Sequence, residues 1–224
     1  MTVVLSVGGS CVNPDGKPDV GFIKALCAVI RKSGERFGVL VGGGKTARDY
    51  AEATRTLGGS EFDADEIAIM STRQNAMLFL QGLKDIAYPA VLTDFTNAKK
   101  AFTSARIVVM GGTIPGITTD TDAVLLAESI GAKRLVNISS ISGIYESDPR
   151  KNPNAKKFSA LGYEQLVALA MEADKRKAGT NFVFDVLACK LIARSKIETH
   201  FVGKDVLEIE RAINGKKHNG TIVS

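Results

Sequence analysis

The fold is decided by the stretch VVMGGTIPGITTDTDAVLLAE at residues 108–128. It begins with a short apolar run, passes through a glycine-rich turn, and continues into a segment where Ala123, Leu126 and Ala127 recur on one helix face. A buried strand, a glycine turn and an amphipathic helix in that order predict one βα unit of a parallel sheet.

The same order recurs along the rest of the chain. Short apolar runs that end in glycine or a polar turn predict strands at Val3 to Val7, Phe37 to Val41, Tyr88 to Leu92, Ile107 to Met110, Leu135 to Ile138 and Thr199 to Val202. Because these runs are continuously apolar, we expect helices to cover both faces of the sheet. Right-handed crossovers then give an α/β fold, a three-layer αβα sandwich around a mainly parallel sheet.

Helices are predicted where apolar residues recur at helical spacing. The clearest segments are residues 22–30, 63–83, 123–130, 185–195 and 205–214, and a short strand is expected after the last of them. Residues 143–154 interrupt the pattern, since their Gly, Pro, Asn and charged residues favour a projecting hairpin or loop. With 224 residues and no linker-like segment, a single domain over residues 1–224 is expected.

The composition favours a globular protein, with 45% hydrophobic and 24% charged residues. The 29 Lys and Arg against 24 Asp and Glu give a net charge of +5, but the basic residues are scattered and no aromatic residues are interleaved with them. No nucleic-acid partner is therefore expected. No apolar run reaches membrane-spanning length, and no basic region precedes the apolar residues 3–7. We expect a cytoplasmic protein without a membrane partner.

The three cysteines and two histidines do not predict a metal site. Cys11, Cys27 and Cys189 show no CxxC spacing, and only two histidines are present to join them. Buried, reduced thiols are expected, and no protein side chain is predicted as a metal ligand. His200 is expected to pack inside a strand and His218 to lie exposed in a turn, both without partners for a catalytic or metal role.

Glycine clusters follow three of the predicted strands, at residues 8–10, 42–45 and 111–113. In an open α/β sheet the carboxyl ends of parallel strands collect ligands, because glycine lets backbone N–H groups approach phosphate oxygens. A single pair of glycines is explained equally well by a tight turn. Three such turns in one crevice predict a polyphosphate ligand. Neither G-x-G-x-x-G nor G-x-x-x-x-G-K-[ST] occurs, which argues against a Rossmann dehydrogenase and a P-loop kinase.

With these motifs the chain resembles the archaeal-type uridylate (UMP) kinases of the amino acid kinase superfamily. The matching strings are VVLSVGGS at 3–10, VGGGKTARDY at 41–50, TRQNAM at 72–77, residues 108–128, SGIYESDPRKNP at 142–153, DVLACKLIARSKI at 185–197 and HNGTIVS at 218–224. The resemblance implies transfer of the γ-phosphoryl group of ATP to UMP, with Mg²⁺ bound with ATP. It also implies a homo-oligomer, usually a hexamer, in which the N-terminal part of each chain mainly binds UMP and the C-terminal part mainly binds ATP.

The resemblance assigns roles to individual residues. ATP-binding residues are Gly9, Ser10, Gly44, Arg48, Ser139, Tyr145 and Asp148. UMP-binding residues are Gly43, Asp65, Thr113, Ile114, Pro115, Gly116, Ile117, Thr118 and Thr119. Catalytic residues are Lys45, Asp185 and Lys190. The loop at 113–119 is explained equally well as a polar turn in which Thr119 or Asp120 caps the next helix.

Structural alternatives stay open for several of these residues. Arg48 could be a solvated helix residue, although one helical turn after Gly44 its guanidinium could bind phosphate. Asp65 is assigned to the ribose hydroxyls of UMP, and a helix cap is the alternative. Asp148 could initiate a turn before Pro149 rather than contact ATP. Asp185 could equally be a helix cap.

Two positions depart from the family pattern. The superfamily usually has lysine where this chain has Ser6, and Lys45 is expected to supply the missing charge. The family has a carboxylate where this chain has Ser142. These departures keep a non-catalytic nucleotide-binding protein as an alternative. Another superfamily phosphotransferase, for acetylglutamate, carbamate or isopentenyl phosphate, is a further alternative, which the GGT-x-PG-x-TTD block opposes. The pattern does not determine how strictly uracil is preferred over cytosine.

Overall fold

A computed structural model describes residues 1–175 and 184–224. Within these residues the strands form one sheet in the order β3-β4-β2-β1-β5-β7-β8-β6. The strands are β1 Thr2–Val7, β2 Arg36–Val41, β3 Ala87–Leu92, β4 Ile107–Met110, β5 Arg134–Ile138, β6 Ala160–Leu161, β7 Glu198–Val202 and β8 Thr221–Val223. Neighbouring strands are parallel except for β7 and β8. The predicted strands and the mainly parallel sheet are confirmed, and the two-residue β6 is an addition.

The five predicted helical segments are confirmed, with ends that differ from the prediction by at most four residues, and the structure adds further helices. The helices are α1 Gly9–Val12, α2 Val20–Ser33, α3 Gly44–Thr56, α4 Glu61–Leu83, α5 Phe95–Ser104, α6 Thr119–Ser129, α7 Tyr163–Lys175, α8 Val186–Ser195 and α9 Val206–Ile213. Helix α4 begins two residues before the predicted Asp63, because Ser60 and Asp63 form a capping box. Asp65 is therefore not the cap of this helix, and the capping alternative for it is wrong.

Apolar side chains cover both faces of the sheet. Val3 and Leu5 of β1 lie in a buried cluster with residues of α2, α4 and α9, whereas Val4 lies in a second cluster with residues of α5, α6 and α8. Successive side chains of a strand point to opposite faces, so the two clusters are the two sides of a sandwich. The predicted three-layer αβα architecture is confirmed.

The parallel strands bring their carboxyl ends to one edge of the sheet. Strands β4, β2, β1 and β5 are consecutive neighbours, so the loops that follow them lie side by side. The segment at 143–154 leaves this edge and returns by backbone hydrogen bonds from Glu146 N to Lys156 O and from Phe158 N to Ile144 O. It is a hairpin-like loop, as predicted.

The histidine predictions are only partly confirmed. His200 is buried in β7, but Nδ1 of its ring lies 2.7 Å from Nε2 of His218, and its Nε2 lies 2.9 Å from Oε1 of Glu198. The two rings therefore contact each other, which the sequence does not predict, and the prediction that His218 is exposed is wrong because it is half-buried. The cause is the antiparallel pairing of β8 with β7, which folds the end of the chain back onto His200.

The remaining composition-based expectations concern cysteines and membranes. Cys11, Cys27 and Cys189 are buried and free, and burial raises the pKa of the Cys11 and Cys27 thiols to about 11. The expectation of buried thiols is confirmed. None of the helices in residues 1–175 and 184–224 has both the length and the apolar character to cross a membrane.

Candidate active site

The first two glycine turns pack directly against each other at the carboxyl ends of β1 and β2. A Cβ on Gly42 would lie 2.6 Å from Gly9 N, and one on Gly9 would overlap the backbone nitrogen of Gly44. Only glycine allows this approach, since neither backbone has a flexible atom that could move aside. Gly44 also has a φ of +70°, a conformation that favours glycine. The glycines thus join two turns into one crevice, as the sequence predicts.

Helices α1 and α3 start at this contact. Gly8 N donates to Ile138 O at 2.8 Å, and Lys45 N donates to Asn13 O at 3.0 Å, which ties the turns to β5 and to the end of α1. Among the described residues, no side chain caps the first turn of either helix. Lys45 N is engaged by Asn13 O, and the other amide groups at the start of α3 remain available for anionic oxygens.

Helix α4 holds the third glycine turn in place. Gly112 N donates to Thr72 Oγ1 at 2.6 Å, while Arg73 donates from Nε to Gly112 O at 3.2 Å and from Nη2 to Thr113 O at 3.1 Å. One helical turn further, Asn75 Nδ2 donates to the carbonyl oxygens of the second turn. Residues of the TRQNAM segment thus hold both the second and the third glycine turn in place. The sequence alone does not predict this role.

The loop at 113–119 is held by carboxylates from two helices. Gly116 N donates to Asp65 Oδ2 at 2.8 Å, and Thr113 donates to Asp122 from both its N and its Oγ1, at 3.1 and 2.6 Å. The cap of α6 is Thr118, whose Oγ1 accepts from the N–H groups of the next helical turn. The alternative caps Thr119 and Asp120 are wrong, because Thr118 is the last extended residue before the helix.

The other predicted residues of this loop lie at its surface. Ile114 is exposed, and Pro115, Ile117 and Thr119 are partly buried. A Cβ on Gly116 would meet no atom within 4 Å, but Gly116 has a φ of +87° that a residue with a side chain would adopt only with strain.

Asp120 lies over the ends of β1 and β5, and the sequence predicts for it only a capping role. Its Oδ1 accepts from Ser6 Oγ at 3.1 Å and from Asn137 Nδ2 at 3.3 Å. Burial raises the pKa of Asp120 to about 7, and the nearby Asp185 carboxylate adds to this effect. Ser6, where the superfamily usually has lysine, therefore gives this carboxylate a neutral donor instead of a positive charge.

Asp185 links the loop at 113–119 to α8. It caps α8 by accepting from Ala188 N at 2.8 Å, which confirms the capping alternative. The same carboxylate accepts from the hydroxyl groups of Thr118 and Thr121. Lys190 lies on α8, which Asp185 caps, with an exposed side chain that makes no hydrogen bond or ion pair within the described residues.

The cationic residues predicted near the second turn are both exposed on α3. Arg48 follows Gly44 by one helical turn, as expected. Lys45 Nζ pairs with Asp49 at 2.6 and 2.8 Å, and both side chains are about half exposed. An exposed pair of this kind contributes little stability, so Lys45 is able to exchange Asp49 for another anion.

The segment after β5, which is predicted to bind ATP, contains hydrogen bonds among its own residues. Ser139 Oγ donates to Ile141 O at 2.9 Å, and Ser142 Oγ lies 3.1 Å from Tyr145 OH. Asp148 Oδ1 accepts from both N and Nε of Arg150 at 3.0 Å, which confirms its alternative role as a turn initiator.

A metal site made by the protein alone is not present in the described residues. No group of three or more His, Cys, Asp or Glu in residues 1–175 and 184–224 is arranged to hold an ion. The buried Asn137 Oδ1 has no hydrogen-bond partner there and lies beside Asp120. Carboxylate and amide oxygens are donors that suit a hard cation such as Mg²⁺. Asp120 and Asn137 therefore fit an ion whose other ligands come mainly from a bound molecule.

The fold and the site define a class of protein. Residues 1–203 match the model of the amino acid kinase family, and the chain therefore belongs to that family. Within it, the chain is 46% identical to the uridylate kinase of Thermococcus onnurineus (strain NA1), over 100% of this chain and 99% of the relative. It is 40% identical to the uridylate kinase of Archaeoglobus fulgidus, over 100% of both chains. The predicted resemblance to archaeal uridylate kinases is confirmed.

Solved structures agree with this placement. The crystal structure of the Archaeoglobus fulgidus uridylate kinase matches with a TM-score of 0.88 at 38% identity, over 100% of both chains. The UMP kinase of Bacillus anthracis matches with a TM-score of 0.82 at 18% identity, over 100% of this chain and 95% of the other. The second likeness concerns the fold alone.

Proposed function

We propose that this chain is a UMP kinase, which transfers the γ-phosphoryl group of ATP to UMP and forms UDP and ADP. The observation that carries the proposal is the backbone contact between the turns at Gly9 and Gly44. It brings the starts of α1 and α3 together, next to the third glycine turn. Two anionic nucleotides meeting end to end need such a concentration of backbone donors. The full-length similarity to uridylate kinases supports the same conclusion.

The two nucleotides are assigned to the two parts of a single domain. UMP lies against Gly43, Asp65 and the loop at 113–119, and ATP lies against the first turn and the segment at 139–148. Asp65 uses one carboxylate oxygen for Gly116 N, so its other oxygen remains available to the ribose hydroxyls of UMP. The ATP phosphates lie near Gly9, Ser10, Gly44 and Arg48.

The chemistry requires little proton abstraction, because the attacking phosphate oxygen of UMP already carries negative charge. Catalysis comes from aligning the two phosphates in line and offsetting their repulsion. Lys45 leaves Asp49 and supplies a positive charge that Ser6 cannot. Asp185 orients the loop through Thr118, and Lys190 adds a second cation at α8. Mg²⁺ bound with ATP supplies further charge neutralisation.

Self-association in the cytoplasm is part of this proposal, as a homo-oligomer, usually a hexamer, with no nucleic-acid or membrane partner. Phe62, Met70 and Met77 of α4 are each more than half exposed, and apolar side chains of this size are typical of protein contacts. Analytical ultracentrifugation tests the oligomer. A monomer at micromolar concentration would contradict it and would leave the proposed reaction unaffected.

The reaction is tested by coupling ADP release to NADH oxidation and identifying the product by chromatography. UMP, acetylglutamate, carbamate and isopentenyl phosphate are offered in parallel. UDP formation is the expected result. Activity on another acceptor with UMP inert would contradict it, and so would tight binding of UMP and ATP without UDP, the outcome for a non-catalytic nucleotide-binding protein.

A further inference from the structure

Thr113 has both of its hydrogen-bond donors committed inside the protein. Its N donates to Asp122 Oδ2 at 3.1 Å, and its Oγ1 donates to Asp122 Oδ1 at 2.6 Å. Its carbonyl oxygen accepts from Arg73 at 3.1 Å. What remains for a ligand is acceptor capacity alone, namely the hydroxyl lone pairs and one lone pair of the carbonyl.

The direction of the hydroxyl bond follows from the state of Asp122. An ionised carboxylate is an acceptor only, so the Thr113 hydroxyl must be the donor. Asp122 accepts from both Thr113 N and Thr113 Oγ1, and these two donors together with the charge of Arg73 favour the ionised carboxylate, although its side chain is 1% exposed.

The neighbouring residues of the loop offer few donors. Gly116 N donates to Asp65 and Pro115 has no N–H group, so within the described residues only the Ile114 N–H of residues 113–116 stays unengaged. Two separate carboxylates and a proline thus remove three of the four backbone donors from this part of the loop. This arrangement favours a ligand edge that brings a donor of its own.

We infer that Asp122 is a specificity-determining positioning residue, which holds Thr113 as a hydrogen-bond acceptor and so makes the site select uracil over cytosine. The inference rests on the proposed function and on the assignment of this loop to the UMP base. Uracil has a donor, N3–H, where cytosine has a lone pair on N3. The acceptor on Thr113 accepts a hydrogen bond from uracil N3–H, and it repels the lone pair on cytosine N3. A mismatch in a site built for one hydrogen-bond pattern costs roughly 100-fold or more in kcat/KM.

Two variants and one substrate analogue test this inference. In Asp122→Asn, the amide can donate to Thr113 Oγ1, so the hydroxyl proton becomes free to face cytosine. The ratio of kcat/KM for UMP to that for CMP should fall by at least about 10-fold, mainly through KM. Thr113→Val removes the hydroxyl and should reduce the ratio similarly, with no further loss in the double variant. The wild type should reject 3-methyl-UMP, which lacks the N3 proton, by a similar factor.

The control is Asp63→Asn, which removes an exposed carboxylate from the capping box of α4 and should leave the UMP/CMP ratio unchanged. Should Asp122→Asn fail to fold, Thr113→Val and the methylated substrate still decide the matter. An unchanged ratio in active Thr113→Val or Asp122→Asn overturns the inference, as does a wild type that uses UMP and CMP equally. A wild type that forms no UDP at all contradicts instead the proposed function.

Discussion

The loop at 113–119 and the segment at 139–148 both lie at the carboxyl edge of the sheet, beyond β4 and β5, which β2 and β1 separate, but they are stabilised in different ways. The side chains of Asp65, Arg73, Asp122 and Asp185, from α4, the first turn of α6 and the cap of α8, hold the loop. The side-chain hydrogen bonds of the segment are mostly local, such as Ser142 with Tyr145, although Ser139 N donates to Val202 O and Ile144 N donates to Thr221 Oγ1. Charged side chains from three helices therefore fix the proposed UMP loop, whereas the proposed ATP segment is held mainly by local side-chain bonds and has more freedom to adapt to its nucleotide.

The largest effect is expected at Lys45, in the second glycine turn after β2. Lys45→Ala removes the positive charge proposed to stand in for the lysine absent at Ser6, and kcat should fall by roughly 100-fold or more. The exposed Lys45–Asp49 pair contributes little to folding, so the melting temperature should stay within about 2 °C. Steady-state kinetics and calorimetry measure the two quantities. A near-normal kcat would show that the charge comes from elsewhere.

The next prediction sharpens the contrast between the two regions. Arg73→Met removes both guanidinium bonds to the third glycine turn, and KM for UMP should rise by about 30-fold, since hydrogen bonds from charged groups contribute on the order of 2 kcal/mol. KM for ATP should change little. The matched variant Arg150→Met removes only bonds to the neighbouring Asp148 and should leave KM for UMP unchanged. Equal effects of both variants on UMP would remove the distinction.

A smaller effect is expected on stability. The raised pKa of Asp120 means that the folded protein holds this proton up to about pH 7, whereas the unfolded chain releases it near pH 3.8. The ionised group therefore costs stability above pH 7, and this cost disappears as the pH falls toward 4. Asp120→Asn should raise the free energy of unfolding by about 1.5 kcal/mol at pH 8, less than the ~4 kcal/mol of a fully enclosed group.

The pH dependence supplies the control for that prediction. At pH 5 the folded wild type still holds the proton whereas the unfolded chain has mostly lost it, so about a third of the cost remains, and urea titrations should give a gain of only about 0.5 kcal/mol for Asp120→Asn. A gain of the same size at pH 5 and pH 8 would mean that the charge of Asp120 is not the cause.

The smallest effect is expected in the locally held segment. Ser142→Ala breaks the contact with Tyr145 OH, and KM for ATP should rise by about two- to threefold, because a partly buried hydrogen bond between two neutral hydroxyl groups contributes about 0.5 kcal/mol. KM for UMP should not change. A larger loss for UMP than for ATP would contradict the assignment of the two nucleotides.

Much of the fold could be predicted from local pattern. The core strands are short, continuously apolar and followed by glycine, so their positions were predictable within two residues. Strand β6 was not, because its two residues carry no period and form a strand only by pairing with β8, about 60 residues later. Helices α5 and α7 were likewise not predicted. The partners of His218 were missed since they depend on the return of β8 to β7.

The site divides in the same manner. Family motifs pointed to the glycine turns, Asp65 and the loop at 113–119, and the structure collects them at one sheet edge. Asp120 and Asp122 were not recognised as site residues, because acidic residues in the first turn of a helix are explained by the helix dipole alone. The TRQNAM motif contains Arg73, but the motif does not indicate its role, since its acceptors Gly112 O and Thr113 O lie some 40 residues away.

The sequence alone determined the order of strands and helices, the glycines that let backbones approach, and the family to which the chain belongs. The first two of these properties follow from side-chain size and periodicity, which act over a few residues, and the family follows from the resemblance of the motifs. Only the tertiary structure decided which carboxylates accept hydrogen bonds from three hydroxyl groups of the site. Ser6 donates to Asp120, Thr118 donates to Asp185, and Thr113 donates to Asp122. Hydrogen bonds are short and directional, so their pairing is set by how distant segments pack.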